Sequence, residues 1–443
     1  MAGIRMTEGS IPKHLLRFGL PLLLSNMFQL TYNAVDSMIL GRMVGMEALA
    51  ASGTAGPLMN LLVLAISGLC IGAGVIMSEF YGAGDMKGLR QELAVLLKTG
   101  GGSAVIIALA AEILLTQIMG WLKVPGELYG PAGIYLAWIL PGIPATFACN
   151  ALAACIKSMG NAMVPLITLA AGSVVNILMD LLFVNMGLGI QGAAMATLIS
   201  QYLTAALLGA YLLLRLPQAR PAGDDWKTNR ALLSRTLRDG GITALQQACQ
   251  PVGKLMIQGG VNGLGVNAMA AFNAVTRMDD YACLPEQNLS SSVTTFLAQN
   301  RGAGHRERVK GGFLTGLVME AVYGLGIGLV VFIARDWLMS LFVDPARTEV
   351  MDMGREYLLY MSLFYFLPAM TNLCQGFFRG MGMMKVTLAA TITQISIRVL
   401  VVLLGISGLG LRAVAFGSAA GWLVMLAWDV PLLVHTMRRY TRA

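Results

Sequence analysis

The segment Ser173–Leu182, with the sequence SVVNILMDLL, holds two polar residues in an otherwise apolar stretch. Asn176 and Asp180 are four positions apart, so on a helix of 3.6 residues per turn both side chains lie on one face. A carboxylate inside a membrane helix is unfavourable by roughly 2.5–3.5 kcal/mol unless it faces a partner, an ion or water. The segment therefore predicts a functional polar site within a membrane-spanning helix.

The composition of the whole chain also indicates a membrane protein. Of the 443 residues, 56% are hydrophobic and only 12% are charged, against about 25% charged in soluble domains. The six cysteines and three histidines show no spacing typical of a zinc site or a disulfide framework. We therefore expect no cofactor apart from a coupling ion.

Twelve apolar segments of helical length are separated by polar turns. They are Leu15–Leu40, Leu49–Met77, Thr99–Met119, Ala132–Ile156, Ala162–Phe183, Gly192–Leu214, Gly241–Gly260, Ala268–Leu297, Gly312–Ile333, Tyr357–Phe378, Val386–Leu404 and Ala413–Val434. We predict an all-α integral membrane protein with twelve transmembrane helices.

Lysine and arginine are distributed unevenly between the two sides. With the N-terminus inside, 22 of the 31 basic residues fall in segments on the cytoplasmic side, and six fall in segments on the other side. The positive-inside rule then predicts a multi-pass protein of the cell membrane with both termini in the cytoplasm. The same distribution accounts for the net charge of +8 without a nucleic-acid partner.

The two halves of the chain repeat weakly. YGAGD at Tyr81–Asp85 returns as RGAGH at Arg301–His305, and VGMEALAA at Val44–Ala51 returns as LGVNAMAA at Leu264–Ala271, both at an offset of 220. Six spans per half give both halves the same orientation, which predicts two six-helix lobes related by a pseudo-two-fold axis along the membrane normal.

A polar linker separates the two repeats, and this sets the expected domain boundaries. We expect an N-lobe at residues 1–214, a cytoplasmic linker at 215–240 and a C-lobe at 241–443. In transporters that are built from two such lobes, the cargo site lies between the lobes, near the middle of the bilayer.

Polar residues of the first, fifth and sixth spans fall at a similar depth. At about 1.5 Å per helical residue, Asp36, Asn176, Asp180 and Thr197 lie roughly 10–16 Å below the nearest outer turn. Two carboxylates, an amide oxygen and a hydroxyl are hard ligands suited to Na⁺, or they form a pair that shares a proton. The alternative is structural, with Asp36 capping a neighbouring helix and the other groups satisfying helix contacts.

Four motifs resemble the multidrug and toxic compound extrusion (MATE) family. They are LPLLLSNMFQLTYNAVDSMILGRMVG at Leu20–Gly45, EFYGAGD at Glu79–Asp85, RMDDYACLPEQNLS at Arg277–Ser290 and AQNRGAG at Ala298–Gly304. The resemblance covers essentially the whole chain and includes the arrangement of two lobes with six helices each. It implies an antiporter that exports organic cations or other amphiphiles against inward H⁺ or Na⁺.

The resemblance also implies roles for individual residues. MATE transporters use an acid on the first helix and Asn-x-x-x-Asp on the fifth, which match Asp36, Asn176 and Asp180 here, and Thr197 matches the sixth helix. These residues are therefore our candidates for proton coupling, and Asp36, Asn176 and Asp180 are also candidates for a Na⁺ site. Some relatives carry a glutamate early in the seventh helix, where this chain has glutamines.

The first span carries further candidates. Gln29, Tyr32 and Asn33 precede Asp36 and either line the cargo cavity or pack between helices. Pro21 permits a kink. A proline here fits the bending first helix of the resembling transporters, with a purely structural kink as the alternative.

The second lobe lacks the acids of the first. At the repeat offset, Asp36 corresponds to Met256, Asn176 to Arg398 and Asp180 to Val402. The guanidinium of Arg398 could thus supply a fixed positive charge at the place where the first lobe would bind a cation.

The eighth span carries Arg277, Asp279, Asp280 and Glu286, and Arg277 is spaced to pair with Asp280. Together with Lys254, these residues either hold a cationic cargo or lock helices as ion pairs. Three single acids, Glu112, Glu320 and Asp429, we attribute to snorkelling or solvent exposure.

We expect a monomeric exporter, not an enzyme, because the chain has no H-E-x-x-H, P-loop or D-x-x-x-D motif. Its partners would be a small cationic amphiphile and membrane lipid. The alternative is a flippase or exporter of a lipid-linked or metabolite cargo from the same superfamily. A channel is disfavoured, because two repeated lobes imply alternating access.

Overall fold

The computed structural model describes residues 5–227 and 229–442, and these residues are almost entirely helical. The helices of the first half are α1 (Ile11–Ile39), α2 (Met46–Gly82), α3 (Met86–Val95), α4 (Gly101–Ile113), α5 (Leu115–Trp121), α6 (Tyr129–Ile139), α7 (Ile143–Ser158), α8 (Met163–Asn185) and α9 (Gly189–Arg215). Those of the second half are α10 (Arg230–Asn262), α11 (Val266–Gly302), α12 (Arg306–Ser340), α13 (Thr348–Phe364), α14 (Phe366–Gly380), α15 (Met384–Leu409) and α16 (Arg412–Arg442).

Three of the membrane passes are interrupted helices. A π-helical turn at Leu96–Gly100 joins α3 to α4, and a 3₁₀ turn at Leu140–Gly142 joins α6 to α7. Helices α13 and α14 meet at Tyr365 with a bend of 48°. Pro368 explains this bend, because it cannot donate a backbone hydrogen bond to the carbonyl of Phe364.

Within the described residues, eight helical segments are long and apolar enough to span a membrane, or nine when the bent pair counts as one. The remaining long helices are α1, α10 and α11, whose polar residues lower their hydropathy. Together they make the twelve passes that the sequence predicts, although most helices extend beyond the predicted ends. The seventh pass, for example, begins at Arg230 rather than at Gly241.

The contacts divide the chain into two compact units with separate cores. One unit contains Leu20–Ala244, and the other contains Met6–Gly19 and Leu245–Ala443. Helices α1 and α10 therefore each contribute their first turns to one unit and the remainder to the other. Which segments move together as lobes stays a prediction.

The repeated glycine motifs end equivalent helices. Gly84 follows the end of α2 and Gly304 follows the end of α11, with φ angles of 75° and 73°. In each motif the next amide donates back into the helix, from Asp85 to the Phe80 carbonyl and from His305 to the Asn300 carbonyl, both at 2.9 Å. Glycine is favoured because other residues adopt this left-handed conformation only with strain. The motifs are helix caps, as the weak sequence repeat suggests.

The linker between α9 and α10 is anchored to the first unit. Arg90 of α3 forms an ion pair with Asp225 at 2.8 Å, and Asp225 also accepts the backbone amide of Ala222 at 3.1 Å. Asn229 caps α10 by accepting the amides of Ala231 and Leu232. Because this cap starts the helix at Arg230, the end of the predicted linker is helical.

Candidate functional site

The site of the first unit is built on the packed pair α8 and α9. Asn176 and Asp180 of α8 are 2% and 0% exposed, so the face predicted from their spacing is the buried face. One turn before Asn176, Gly172 lets α9 approach, because a Cβ atom at this position would overlap the Thr204 hydroxyl. The close approach brings Thr197 of α9 opposite Asn176.

The nitrogen and the oxygen of the Asn176 amide differ in their hydrogen bonds. Its Nδ2 donates to Thr197 Oγ1 at 3.5 Å, and the Thr197 hydroxyl donates to the Ala193 carbonyl at 3.1 Å. The Oδ1 atom of Asn176 is buried and has no hydrogen-bond donor among the described residues. The α8–α9 contact therefore leaves a carbonyl-type acceptor available to a ligand.

Asp36 of α1 meets Asp180, and the two carboxyl groups interact directly. Within the described part of the chain, both oxygens of Asp180 and Oδ1 of Asp36 are buried without a donor. Two carboxylates can hydrogen-bond to each other only when one of them carries a proton. The pair can thus hold one shared proton, or the two groups can ligate a cation.

Two tyrosines complete this cluster. Tyr32 lies one turn before Asp36, and Tyr135 of α6 is near enough for the charges of Asp36 and Asp180 to act on its hydroxyl. The sequence analysis missed Tyr135. It lies about 9 Å along the helix from Tyr129, at the depth of the other candidates, so the same count of residues from the outer turn would have found it.

The rest of α1 presents polar groups on its open face. Gln29 and Asn33 are exposed, whereas Tyr32 and Asp36 are partly buried. Pro21 is buried inside the helix, and its carbonyl accepts the Ser25 hydroxyl at 2.8 Å. Proline also leaves the carbonyl four residues earlier without its helical donor, so α1 has a weakened turn at this point.

The composition of the cluster limits which ion it can hold. Neither Asp36 nor Asp180 has a lysine or arginine among the described groups that interact with it. Nowhere in residues 5–227 and 229–442 do three or more His, Cys, Asp or Glu side chains form a group that could hold a metal ion. Two carboxylates and one amide oxygen suit a proton or a monovalent cation better than a transition metal.

In the second unit, the predicted charged residues separate into pairs. Lys254 of α10 binds Asp280 of α11 at 2.6 Å, with both side chains about half exposed. The predicted pairing of Asp280 with Arg277 is therefore wrong, and Arg277 is exposed. Lysine reaches Asp280 across two packed helices, a contact that spacing along one helix does not reveal.

Asp279 belongs to a different cluster from Asp280. The Tyr365 hydroxyl, at the bend between α13 and α14, donates to Asp279, which also interacts with Arg398 of α15. Tyr357 interacts with both Asp279 and Arg398. Arg398 thus lies near an acid of its own unit. The residue that corresponds to Asp180 in the sequence repeat is Val402, which is buried.

Glu286, the last predicted charge on α11, is 1% exposed and accepts Nδ2 of Asn372 at 2.9 Å. Attributing Glu320 and Asp429 to snorkelling is wrong, because both are 0% exposed. Their helices, α12 and α16, extend well beyond the predicted spans, and this places both acids deep inside. Glu112, in contrast, is exposed.

A family model and curated relatives match this protein over most of the chain. The MatE family model matches residues 21–182 and 243–404. The probable multidrug resistance protein YpnP of Bacillus subtilis is 25% identical over 388 residues, which cover 87% of this chain and 86% of that protein. The FAD transporter of Shewanella oneidensis is 26% identical over 382 residues, which cover 81% and 80%.

The fold has solved counterparts. A crystal structure of MATE in complex with MaL6 superposes with a TM-score of 0.91 at 21% sequence identity, and the match covers 100% of both chains. This likeness concerns the fold of the whole chain, including α1, α10 and α11, which hydropathy alone does not identify as membrane spans.

Proposed function

The chain belongs to the MATE family, a family of membrane transporters, and from this premise we propose a secondary active exporter that exchanges protons for organic cations. The predicted resemblance and the predicted twelve-helix fold are confirmed, and the chain is a transporter rather than an enzyme. The coupling ion, the cargo, the cell membrane as location and the cytoplasmic position of both termini belong to the proposal.

The pair Asp36–Asp180 is the single observation that carries proton coupling. An ionised carboxylate that is buried without a counter-charge is strongly disfavoured, and no basic group of the described residues is among those that interact with this pair. Sharing one proton removes a charge and supplies the missing hydrogen bond. Asp36 is partly exposed and Asp180 is fully buried, so a proton would enter through Asp36.

Proton binding would drive export through α1. Protonation removes the charge of Asp36, so this side chain can be buried more deeply. The weakened turn at Pro21 then allows α1 to bend. Cargo held by the polar open face of α1, at Gln29 and Asn33, would then be displaced. A membrane potential adds about 2.3 kcal/mol per charge per 100 mV to this exchange.

A metabolite cargo is the second candidate. The FAD transporter among the relatives is as similar to this chain as YpnP is. The exposed Arg277 and the half-exposed Lys254 of the second unit offer positive groups to an anionic cargo. Competition by FAD in the transport assay separates this candidate from the first.

The test is ethidium efflux from proteoliposomes that contain the purified protein, with an imposed proton gradient or an imposed sodium gradient. We expect the wild type to export ethidium with the proton gradient. Asp36→Asn and Asp180→Asn should lose at least about tenfold in rate, equivalent to about 1.4 kcal/mol, because an amide cannot take up the coupling proton. Glu112→Gln is the control, since this acid also lies in a membrane helix but is exposed.

The outcomes separate the alternatives. Export driven only by the sodium gradient would show that Na⁺, and not the proton, is the coupling ion at Asp36 and Asp180. Wild-type rates in both aspartate variants would remove the pair from the coupling mechanism. Transport of FAD by proteoliposomes that export no ethidium would favour the metabolite cargo.

A further inference from the structure

A second pair of buried acids lies among three helices of the second unit. Glu286 of α11 and Glu320 of α12 are 1% and 0% exposed, and the charge of Glu286 acts on Glu320. From the ends of their helices at Gly302 and Arg306, both lie about 20–25 Å along the helix axis, so they are at the same level, deep in the bilayer. The sequence repeat does not reveal this pair, because neither residue corresponds to an acid of the first site.

The packing of α11 against α12 brings the two glutamates to the same level. Tyr323, one turn after Glu320, donates to the Ala282 carbonyl, one turn before Glu286, at 2.6 Å. On the other side of the pair, Gly316 admits Val293, whose methyl group would be 2.8 Å from a Cβ atom there. Contacts on both sides therefore fix the register of α11 against α12.

The hydrogen bonds of the pair are incomplete. Asn372 of α14 donates to Oε1 of Glu286 at 2.9 Å, but Oε2 of Glu286 and both oxygens of Glu320 have no donor among the described residues. A fully buried carboxylate with neither oxygen satisfied is strongly disfavoured in its ionised form. Three carboxyl oxygens therefore lack a hydrogen donor among the residues that the structure describes.

No cation compensates the pair. The titratable groups that interact with it are Cys283 and Asp279 on α11 and Tyr323 on α12, while α14 contributes the neutral Asn372. In the described part of the chain, no lysine or arginine is among the groups that interact with either glutamate. The cluster is uniformly acidic or neutral.

We propose that Glu320 is a second proton-binding site, at which one exchangeable proton is held on its carboxyl group beside the buried Glu286. This proposal rests on the proposed function to the extent that the site adds a proton to the transport cycle. Pro285 directly precedes Glu286 and removes one backbone hydrogen bond of α11 at this level. The helix bends most readily there, which gives the proton a route to water in another conformation.

Infrared spectroscopy of the purified protein in nanodiscs tests the site without any cargo. Near neutral pH, a protonated carboxyl group has a carbonyl stretch separate from that of a carboxylate. We expect Glu320→Gln to remove a band worth about one protonated group per protein, and Glu286→Gln to change the frequency of that band without removing it. In the wild type this band should shift in D₂O, because the proton exchanges.

A second variant keeps both acids. Asn372→Leu removes the donor to Glu286, so we expect the band to change frequency without losing intensity. Glu112→Gln is the control and should leave the band as in the wild type. Equal carbonyl intensity in the wild type and Glu320→Gln would overturn the proposal, as would a band that never responds to D₂O.

The transport assay tests the role in the cycle separately. In proteoliposomes, we expect the ratio of protons to ethidium to fall by about one in Glu320→Gln. An unchanged ratio would overturn that role. If the wild type exports no ethidium, the proposed function fails by itself, and the infrared bands still decide whether the site binds a proton.

Discussion

At the residue scale, the decisive feature of both sites is a buried polar atom without a partner. Asp180 and Glu320 are both 0% exposed, and none of their carboxyl oxygens has a donor among the described residues. Most buried polar groups in proteins are hydrogen-bonded. Missing donors at two such places point to protons or ions rather than to structural contacts.

Tyr135 is a residue that the sequence analysis missed and the structure adds, and it leads to a prediction. Tyr135→Phe removes the hydroxyl that interacts with Asp36 and Asp180. Loss of one polar interaction of roughly 1 kcal/mol should slow proton-driven ethidium efflux on the order of fivefold. The matched control is Tyr129→Phe, whose hydroxyl donates to the Thr116 carbonyl at an exposed position. Equal rates in both variants would exclude Tyr135 from the site.

At the element scale, small residues decide how closely helices pack around the charged groups. Helices α15 and α16 of the second unit meet at Gly421, where an added Cβ atom would be 2.6 Å from the Gln394 carbonyl and 3.2 Å from Arg398 Cβ. A backbone carbonyl cannot rotate away as a side chain can. The packing of this helix pair therefore depends on the absence of a side chain.

This close contact predicts a loss of stability in Gly421→Ala. Forcing a methyl group into a packed contact destabilises proteins by about 1–3 kcal/mol, which thermal unfolding in detergent should detect as a lower melting temperature. Gly408→Ala on α15 is the control, because a Cβ atom there has no neighbour within 4 Å. Alanine should leave the melting temperature unchanged or raise it, since alanine favours helix. A higher melting temperature of Gly421→Ala would contradict the packing argument.

At the scale of the whole molecule, the linker between α9 and α10 is tied to α3 through the ion pair of Arg90 with Asp225. Burial alone would raise the pKa of Asp225, but the hydrogen bonds from Arg90 and from the Ala222 amide hold it below its ordinary value. A carboxyl group with a lowered pKa in the folded state stabilises the fold above its unfolded pKa of about 3.9. This contribution is lost as the pH falls through the folded value.

Asp225→Asn tests this contribution. The variant should be less stable than the wild type by about 1 kcal/mol at neutral pH. The difference should shrink as the pH falls below about 4, because the wild-type carboxyl group then becomes neutral as well. Melting curves followed by tryptophan fluorescence at several pH values measure both effects. Asp224→Asn is the control, since Asp224 is highly exposed in its pair with Lys227. A difference independent of pH would assign the effect to packing instead of charge.

The sequence by itself determined the class of protein, the twelve helices and the face shared by Asn176 and Asp180, because hydropathy and helical periodicity are local properties. It also identified the acid of α1 by its isolation in an apolar segment. Tertiary structure decided which polar groups come near each other: Lys254 pairs with Asp280, Tyr135 lies near Asp36, and Glu286 lies near Glu320. The physical reason is that each of these contacts joins different helices, and its register depends on packing at small residues, which spacing along one helix cannot report.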